Sequence, residues 1–175
     1  MKSIFCLLCA VFIMISCQQK SYIYIVRHAE KSDEPKADPY LTREGRQRAI
    51  SLKNKLQRRH IQYIFSTKFN RTRETATPLG SEIGVSIYPY DTDTLPGLLK
   101  RVLKLNQNTL IVGHSNSVIT MLDSFHVAHN IKKIPDDRFG DMFVITRKKG
   151  KIIKLKETYY GRQPTSNDTT QTQMK

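Results

Sequence analysis

The chain has 175 residues, which suffices for one domain with a core of ordinary size and leaves no room for a second catalytic domain. Its 39% hydrophobic and 25% charged residues are those of a globular protein, while 29 Lys and Arg against 15 Asp and Glu give a formal charge of +14. Nucleic acid ranks last among the partners such a charge could serve, behind an anionic membrane surface and an acidic substrate. The basic residues are scattered along the chain (Arg58 and Arg59, Lys132 and Lys133, Arg147 to Lys149), and no nucleic-acid-binding signature occurs.

At the N-terminus, Met1 and Lys2 precede an apolar stretch from Ile4 to Ile15, too short to span a bilayer and of the length of a secretory h-region. It ends in Met14-Ile15-Ser16-Cys17, a small residue just before a cysteine, which resembles the lipobox of bacterial lipoproteins, with Met14 where Leu is usual. The resemblance implies removal of residues 1–16, lipidation of Cys17, and export to a bacterial membrane with the domain facing the periplasm. An ordinary secretory signal cut nearby, or an uncleaved anchor, is the alternative. Cys6 and Cys9 would leave with the signal, so no disulfide or cysteine metal site is expected. Acyl chains contribute on the order of 0.8 kcal/mol per buried CH₂, which leaves the basic surface free to act on substrate or lipid headgroups.

A polar spacer, residues 17–21, is followed by Tyr22-Ile23-Tyr24-Ile25-Val26, a β-branched and aromatic run that predicts a strand buried on both faces. Asp33 to Pro39, with two prolines, predicts a loop. A helix begins at Leu41-Thr42-Arg43-Glu44, with the Thr42 hydroxyl placed to cap it and Ala49, Leu52 and Leu56 forming its apolar stripe. Ile61 to Phe65 predicts a second strand, and Arg71 to Ile83 a second helix in which Pro78 must lie in the first turns or produce a kink. Val85 to Tyr88 is a third strand, Leu95 to Leu105 a helix with Leu98, Leu99 and Val102 inward, and Thr109 to Val112 a buried strand. A helix through Val118, Ile119 and Leu122 follows. Met142 to Thr146 and Ile152 to Leu155, around Lys148-Lys149-Gly150, predict an edge hairpin. The globular domain is expected over residues 22–157, with a disordered polar tail over 158–175.

Strands alternating with helices predict an α/β three-layer sandwich, a mainly parallel sheet flanked by helices with an antiparallel edge hairpin. In such sheets ligands bind beyond the carboxyl ends of the strands. The two strongest strands run directly into Arg27-His28 and Gly113-His114, so both imidazoles are expected at the same sheet edge.

Arg27-His28-Ala29-Glu30 resembles the Arg-His-Gly-Glu signature of the histidine phosphatase superfamily, in the Ala variant common among its smaller members. The resemblance continues through Leu41-Thr42-Arg43-Glu44-Gly45, through Ser66 to Ala76 with Arg71 and Thr75-Ala76 in the family's Ser-x₄-Arg-x₃-Thr-Ala pattern, and through Gly113-His114-Ser115-Asn116. It implies a phosphoglycerate mutase-like fold and a cofactor-independent phosphatase. In that reaction neutral His28 attacks phosphorus of a phosphomonoester or phosphohistidine, and water hydrolyses the resulting phosphohistidine. Arg27 and Arg71 would clamp the phosphoryl oxygens as bidentate forks and His114 would donate to them. Ser115 opens a helix whose N–H groups and dipole favour the same anion. The expected partner is an anionic phosphorylated substrate, with the membrane reached through the lipid anchor and no cofactor or metal required.

Taken singly these residues have plainer readings. A histidine at a strand end is more often a satisfied core polar group, and a lone Arg71 is more often solvated; their joint placement beside the motif neighbours reverses the odds. His60, His126 and His129 carry no motif, and the His126/His129 spacing is poor for a metal. Relatives acting on phosphoglycerates place a glutamate as general acid between the third strand and third helix. Here Asp91 and Asp93 stand in that region and are the candidates, with loop or capping roles as the alternative. Glu30 is a third candidate, and a good leaving group would need none. The resemblance gives Asp141 a supporting place near the final strand pair. Rival readings are a catalytically silent phosphate-binding lipoprotein and, ranked lower, a phosphoglycerate-type mutase. A basic adaptor for anionic envelope polymers is a third.

Overall fold

A computed structural model describes residues 20–162. The expected signal over 1–16, the expected lipidation site Cys17 and the tail from residue 163 lie outside the described residues.

Six strands form one sheet in the order β3-β2-β4-β1-β5-β6. Its strands are β1 (Lys20–Arg27), β2 (Tyr63–Thr67), β3 (Ile87–Tyr90), β4 (Thr109–Gly113), β5 (Asp141–Lys148) and β6 (Lys151–Tyr159). β1, β2, β3 and β4 pair in parallel, whereas β5 runs antiparallel to both β1 and β6. The helices are α1 (Arg43–Leu56), α2 (Asn70–Ile83), α3 (Leu95–Leu105) and α4 (Ser115–Ser124).

Period-two alternation in β1 divides the core. Ile23 and Ile25 face a cluster with Leu98 and Val102 of α3 and Val118, Met121 and Leu122 of α4. Tyr24 and Val26 face the other way, onto Leu52 and Leu56 of α1 and Ala76 and Leu79 of α2. The sheet is thus covered on both faces, which is why β1 and β4 read as continuous apolar runs. This is the expected α/β three-layer architecture.

Local chemistry sets several boundaries. The Thr42 hydroxyl accepts from Gly45 N–H at 3.0 Å, as its capping place predicts. Gly45 is there because a Cβ would lie 2.1 Å from the Glu30 carbonyl oxygen, so only glycine lets α1 begin against the turn that follows β1. The hairpin turn has φ of 51° at Lys149 and 76° at Gly150, the backbone that suits a tight two-residue connection.

Other expectations are corrected. β2 spans Tyr63–Thr67, shifted toward the carboxyl end by its register on β4, so Ser66 and Thr67 belong to the strand. β3 is Ile87–Tyr90 rather than Val85 to Tyr88. Gly84 closes α2 in the left-handed conformation, and the Val85 N–H donates to the Gly80 carbonyl in that cap, so neither can yet pair with β2. Pro89 is tolerated because β3 is an edge strand. Pro78 lies in the interior of α2, and the helix is continuous through it. Lys20 and Ser21 are strand rather than spacer, with the Ser21 hydroxyl donating to Asn106 Oδ1 at 2.9 Å. Order also continues past residue 157: β6 runs to Tyr159, and the Tyr160 ring is 3% exposed with its N–H donating to the Gly140 carbonyl. Thr158 looks like tail because an edge strand has a solvated side.

Candidate active site

The parallel pairing of β1 with β4 aligns Val26 with Val112 and Arg27 with Gly113, so the residues that follow them leave the sheet side by side. His28 N–H donates to the Gly113 carbonyl at 2.9 Å, which carries the ladder one step beyond the strand. The His28 and His114 rings consequently lie 5.5 Å apart between centroids, inclined at 64°. Gly113 has to be glycine, since a Cβ there would lie 2.6 Å from Ser117 Oγ and 2.9 Å from the Tyr90 hydroxyl.

The tautomer of His28 follows from its one hydrogen bond. Nδ1 lies 2.8 Å from the Ala29 carbonyl oxygen, which can only accept. A neutral ring therefore carries its proton on Nδ1 and leaves the Nε2 lone pair free. Burial holds the His28 pKa down at about 3, helped by the positive charges of Arg27 and Arg71 and by His114; the bond to Ala29 opposes the shift without reversing it. Burial, then Arg71 and Arg27, likewise hold His114 down at about 4. Both rings are neutral at neutral pH, as an attacking imidazole requires.

His114 is held by hydroxyls. Thr67 Oγ1 lies 3.1 Å from its Nε2 and 2.7 Å from Thr72 Oγ1, and the Thr72 hydroxyl in turn has the carbonyls of Phe69 and Thr67 at 2.8 and 3.1 Å. Carbonyls take the Thr72 proton, so the Thr67 proton goes to Thr72 and Thr67 accepts from His114 Nε2–H. Ser117 Oγ accepts from the His114 backbone N–H at 2.8 Å, so Ser117 rather than Ser115 fixes the start of α4. Ser115 stands half-exposed as the first residue of that helix, beside His114.

The guanidinium groups flank the rings. Arg27 is buried, and its Nη1 donates to the carbonyls of Pro135 and Asp136 at 2.9 and 3.2 Å. Its Nε is also buried and has no hydrogen-bond partner among the described residues. Arg71 lies 3.8 Å from Asp38 Oδ1. Each arginine stacks on a phenylalanine, Arg27 on Phe139 at 4.4 Å and Arg71 on Phe69 at 4.5 Å. The same rings pack against His28 (Phe139, 6.1 Å) and His114 (Phe69, 5.3 Å). Burial lowers the pKa of both arginines, opposed by the carboxylates beside them, Asp136 first for Arg27 and Asp38 for Arg71.

Thr75 joins the two halves. Its hydroxyl accepts from Ala29 N–H at 2.9 Å and donates to the Arg71 carbonyl at 2.7 Å, coupling the turn that carries His28 to the helix that carries Arg71. Neither phenylalanine nor the hydroxyl pair Thr67 and Thr72 was singled out from sequence. Phe69, Thr67 and Thr72 do lie inside the Ser66 to Ala76 segment, which was the available signal.

The acid candidates have other partners or none, and make no hydrogen bond to the rings. The Glu30 carboxylate receives the Arg48 guanidinium on both oxygens at 2.7 to 2.9 Å, which makes it a structural anchor between β1 and α1. Asp91 is exposed, 3.8 Å from Lys68 Nζ, and its carbonyl accepts from the Thr94 N–H and hydroxyl at the 3₁₀ turn Thr92–Thr94. Asp93 is exposed in that turn. None of the three hydrogen-bonds to His28 or His114, and the charges that shift both rings are those of the arginines. Asp141 is buried and pairs with Arg138 at 2.5 Å, bracing the loop that receives Arg27. Among the described residues no group of His, Cys, Asp and Glu could hold a metal ion.

A mixed α/β sandwich with paired imidazoles at the carboxyl ends of adjacent parallel strands defines the class. Residues 23–95 match the sequence model described as the Histidine phosphatase superfamily (branch 1), which supports placing the chain in that superfamily. No curated protein sequence matches the chain. Solved structures share the fold at low identity. The mycobacterial glucosyl-3-phosphoglycerate phosphatase is 12% identical with a TM-score of 0.59, over 83% of this chain and 100% of that one. The protein histidine phosphatase SixA complexed with tungstate is 14% identical with a TM-score of 0.61, over 79% and 95%. YhfR of Bacillus stearothermophilus is 19% identical with a TM-score of 0.56, over 76% and 94%.

Proposed function

We propose that this protein is a phosphatase that hydrolyses a phosphomonoester or phosphohistidine through a phosphohistidine formed on Nε2 of His28. The observation that carries the reading is a pair of neutral imidazoles, 5.5 Å apart, flanked by two buried or half-buried guanidinium groups. Such a site favours a small tetrahedral anion and presents one unprotonated nitrogen to it. In the first step the His28 Nε2 lone pair forms the P–N bond as the P–O or P–N bond to the leaving group breaks. In the second, water adds to phosphorus, the P–N bond breaks and inorganic phosphate leaves. Arg27 and Arg71 hold the charge on the equatorial oxygens in both steps, and His114 adds a donor there by turning its Nε2–H from Thr67 to the bound anion. A protein of the same fold, the protein histidine phosphatase SixA, is complexed with tungstate, which supports a tetrahedral oxyanion as the ligand of this site.

The Glu30 carboxylate is occupied by Arg48 and neither Asp91 nor Asp93 is hydrogen-bonded to the rings, which favours a substrate whose leaving group departs without a strong protein acid, as a phosphohistidine or an aryl phosphate does. It also keeps the silent phosphate-binding protein as the alternative. In this reading the domain is exported and tethered by lipid on Cys17, facing the periplasm.

The chain beginning at Gln18 distinguishes these. It should release phosphate from an aryl phosphate and, on acid-free denaturation, retain an acid-labile phosphoryl group; His28→Ala should lose both. Phosphate binding without turnover on aryl phosphates or phosphohistidine would support the silent binder, and turnover surviving His28→Ala would remove the mechanism.

A further inference from the structure

We infer that the end of the sheet opposite the active site is a docking face for an anionic lipid bilayer. Basic residues dispersed along the sequence converge there. Register places Lys20 of β1 beside Lys148 of β5, and Lys148 beside Lys151 of β6, with Lys149 exposed in the turn between them. Arg58 and Arg59, both exposed, sit in the α1 to β2 loop, which is tied to the same end. Asn108 Nδ2 donates to the Arg59 carbonyl, and Asn108 Oδ1 accepts from Tyr22 N–H, both at 2.9 Å. Buried Arg147 fixes the hairpin to the C-terminus of α3 by donating to the carbonyls of Leu103 and Gly150 at 2.6 and 3.2 Å. Exposed Lys104 follows Leu103.

Carboxylates do not balance this face. Segments 20–22, 57–62, 103–109 and 147–152 contain no Asp or Glu. Glu82 and Asp123, carried toward this end by α2 and α4, are within 3.7 Å of Lys53 and 3.1 Å of His129. Like charges directly opposed across strands destabilise a sheet, and here three lysines lie in a row across β1, β5 and β6. Lys149 further occupies a left-handed position, φ 51°, where Asn or Gly fits with less strain. An extended anionic surface relieves that repulsion.

Two observations favour a bilayer over an acidic polymer. The proposed anchor residue Cys17 stands three residues before Lys20, where β1 begins, so a tether there brings this end to the bilayer. Exposed Leu103 and Ile153 also stand among the cations, at 37% and 54%, as side chains that enter a headgroup layer rather than contact a phosphate backbone. β1 then stands between the bilayer and His28. Its 8 residues span roughly 25 Å, so the site faces the aqueous side, and phospholipid headgroups of the same leaflet lie out of reach. The inference stands on charge and topology and is independent of the phosphatase reading.

Residues 20–162 carry every strand, helix and core cluster among the described residues, so the chain beginning at Gln18 is suited to the test. It is sedimented with vesicles of equimolar phosphatidylcholine and phosphatidylglycerol, and with phosphatidylcholine alone, at low and high salt. Binding should require the anionic lipid and weaken with salt. Lys148→Gln with Lys149→Gln and Lys151→Gln should lower the partition coefficient on the order of 100-fold, and Arg58→Gln with Arg59→Gln on the order of 10-fold. Lys31→Gln with Lys36→Gln and Arg43→Gln, exposed near the opposite end, should leave it unchanged, and melting curves verify that each variant is folded. Equal losses from the two triples, salt-insensitive binding, or retention by duplex DNA or an acidic polymer but not by vesicles would overturn the inference.

Discussion

The two ends of the sheet are both cationic, and they use charge in opposite ways. At the carboxyl end the important cations are Arg27 and Arg71, pressed against Phe139 and Phe69, with Asp136 4.0 Å from Arg27 and Asp38 3.8 Å from Arg71. At the amino end Lys20, Arg58, Arg59, Lys104, Lys149 and Lys151 are exposed, and the loops that carry them hold no carboxylate. Desolvated charge acts strongly over a few ångströms and is screened little by salt, which suits one small anion. Solvated charge acts weakly per residue and depends on salt, which suits a broad surface. A formal charge of +14 therefore has two uses here, and net charge alone separates neither.

The largest expected effects are at the carboxyl end. Arg71→Gln should lower kcat/KM for an aryl phosphate on the order of 100- to 1000-fold, the loss typical of one preorganised donor to developing charge. Its melting temperature should barely move, because the ion pair with Asp38 is partly solvated and such pairs contribute about 1 kcal/mol or less. Arg27→Gln should lose as much activity and also stability, by about 1–3 kcal/mol, since the carbonyls of Pro135 and Asp136 lose their donor. Steady-state kinetics beside thermal melts would separate the two arginines, and equal melts would mean that Arg27 does not hold the 135–138 loop.

Thr75→Val comes next. It keeps the volume and removes the acceptor for Ala29 N–H, leaving a buried donor unpaired at a cost of about 1–3 kcal/mol. Because the same hydroxyl reaches the Arg71 carbonyl, nucleophile and clamp should drift together, and kcat should fall about tenfold or more while the phosphoenzyme still forms. An unchanged kcat in a folded variant would show that the turn after β1 holds His28 without this bridge.

How much of this was legible in the sequence depended on whether the determining contacts were local. β1 and β4 are buried on both faces, so their apolar runs and the histidines that end them could be read directly, as could the Thr42 cap and the Lys149-Gly150 turn. β2 and β3 were misplaced by two residues because their limits come from pairing on β4 and from the Gly84 cap of α2. Glu30 stayed an acid candidate because its partner Arg48 lies on α1, and nothing local announces a bidentate pair formed across the fold. Phe139 sits in a loop with no pattern, and its place over Arg27 is set by the chain's return into β5. The basic end was hidden for the same reason: Lys20, Arg59 and Lys149 meet only once three loops are brought to one edge.

The last expected effect concerns pH, and it discriminates between buried and solvated imidazoles. A folded His28 pKa of about 3 and a His114 pKa of about 4 lie below the ordinary 6.5, so between these values the unfolded chain binds protons that the folded one does not. Stability contributed by keeping these rings neutral is fully present above pH 6.5 and is lost as pH falls through 4 toward 3. Denaturant midpoints should therefore decline steadily below about pH 6.5, and less steeply in His114→Gln, which removes one of the two linked protons. Corrected for ionisation of the substrate's phosphate, kcat/KM should show no acid limb near 6.5, because the attacking nitrogen of the free enzyme is already unprotonated there. A limb at 6.5 that persists in His114→Gln would mean that His28 titrates as a solvated ring, and the burial that makes the carboxyl end differ from the amino end would be lost with it.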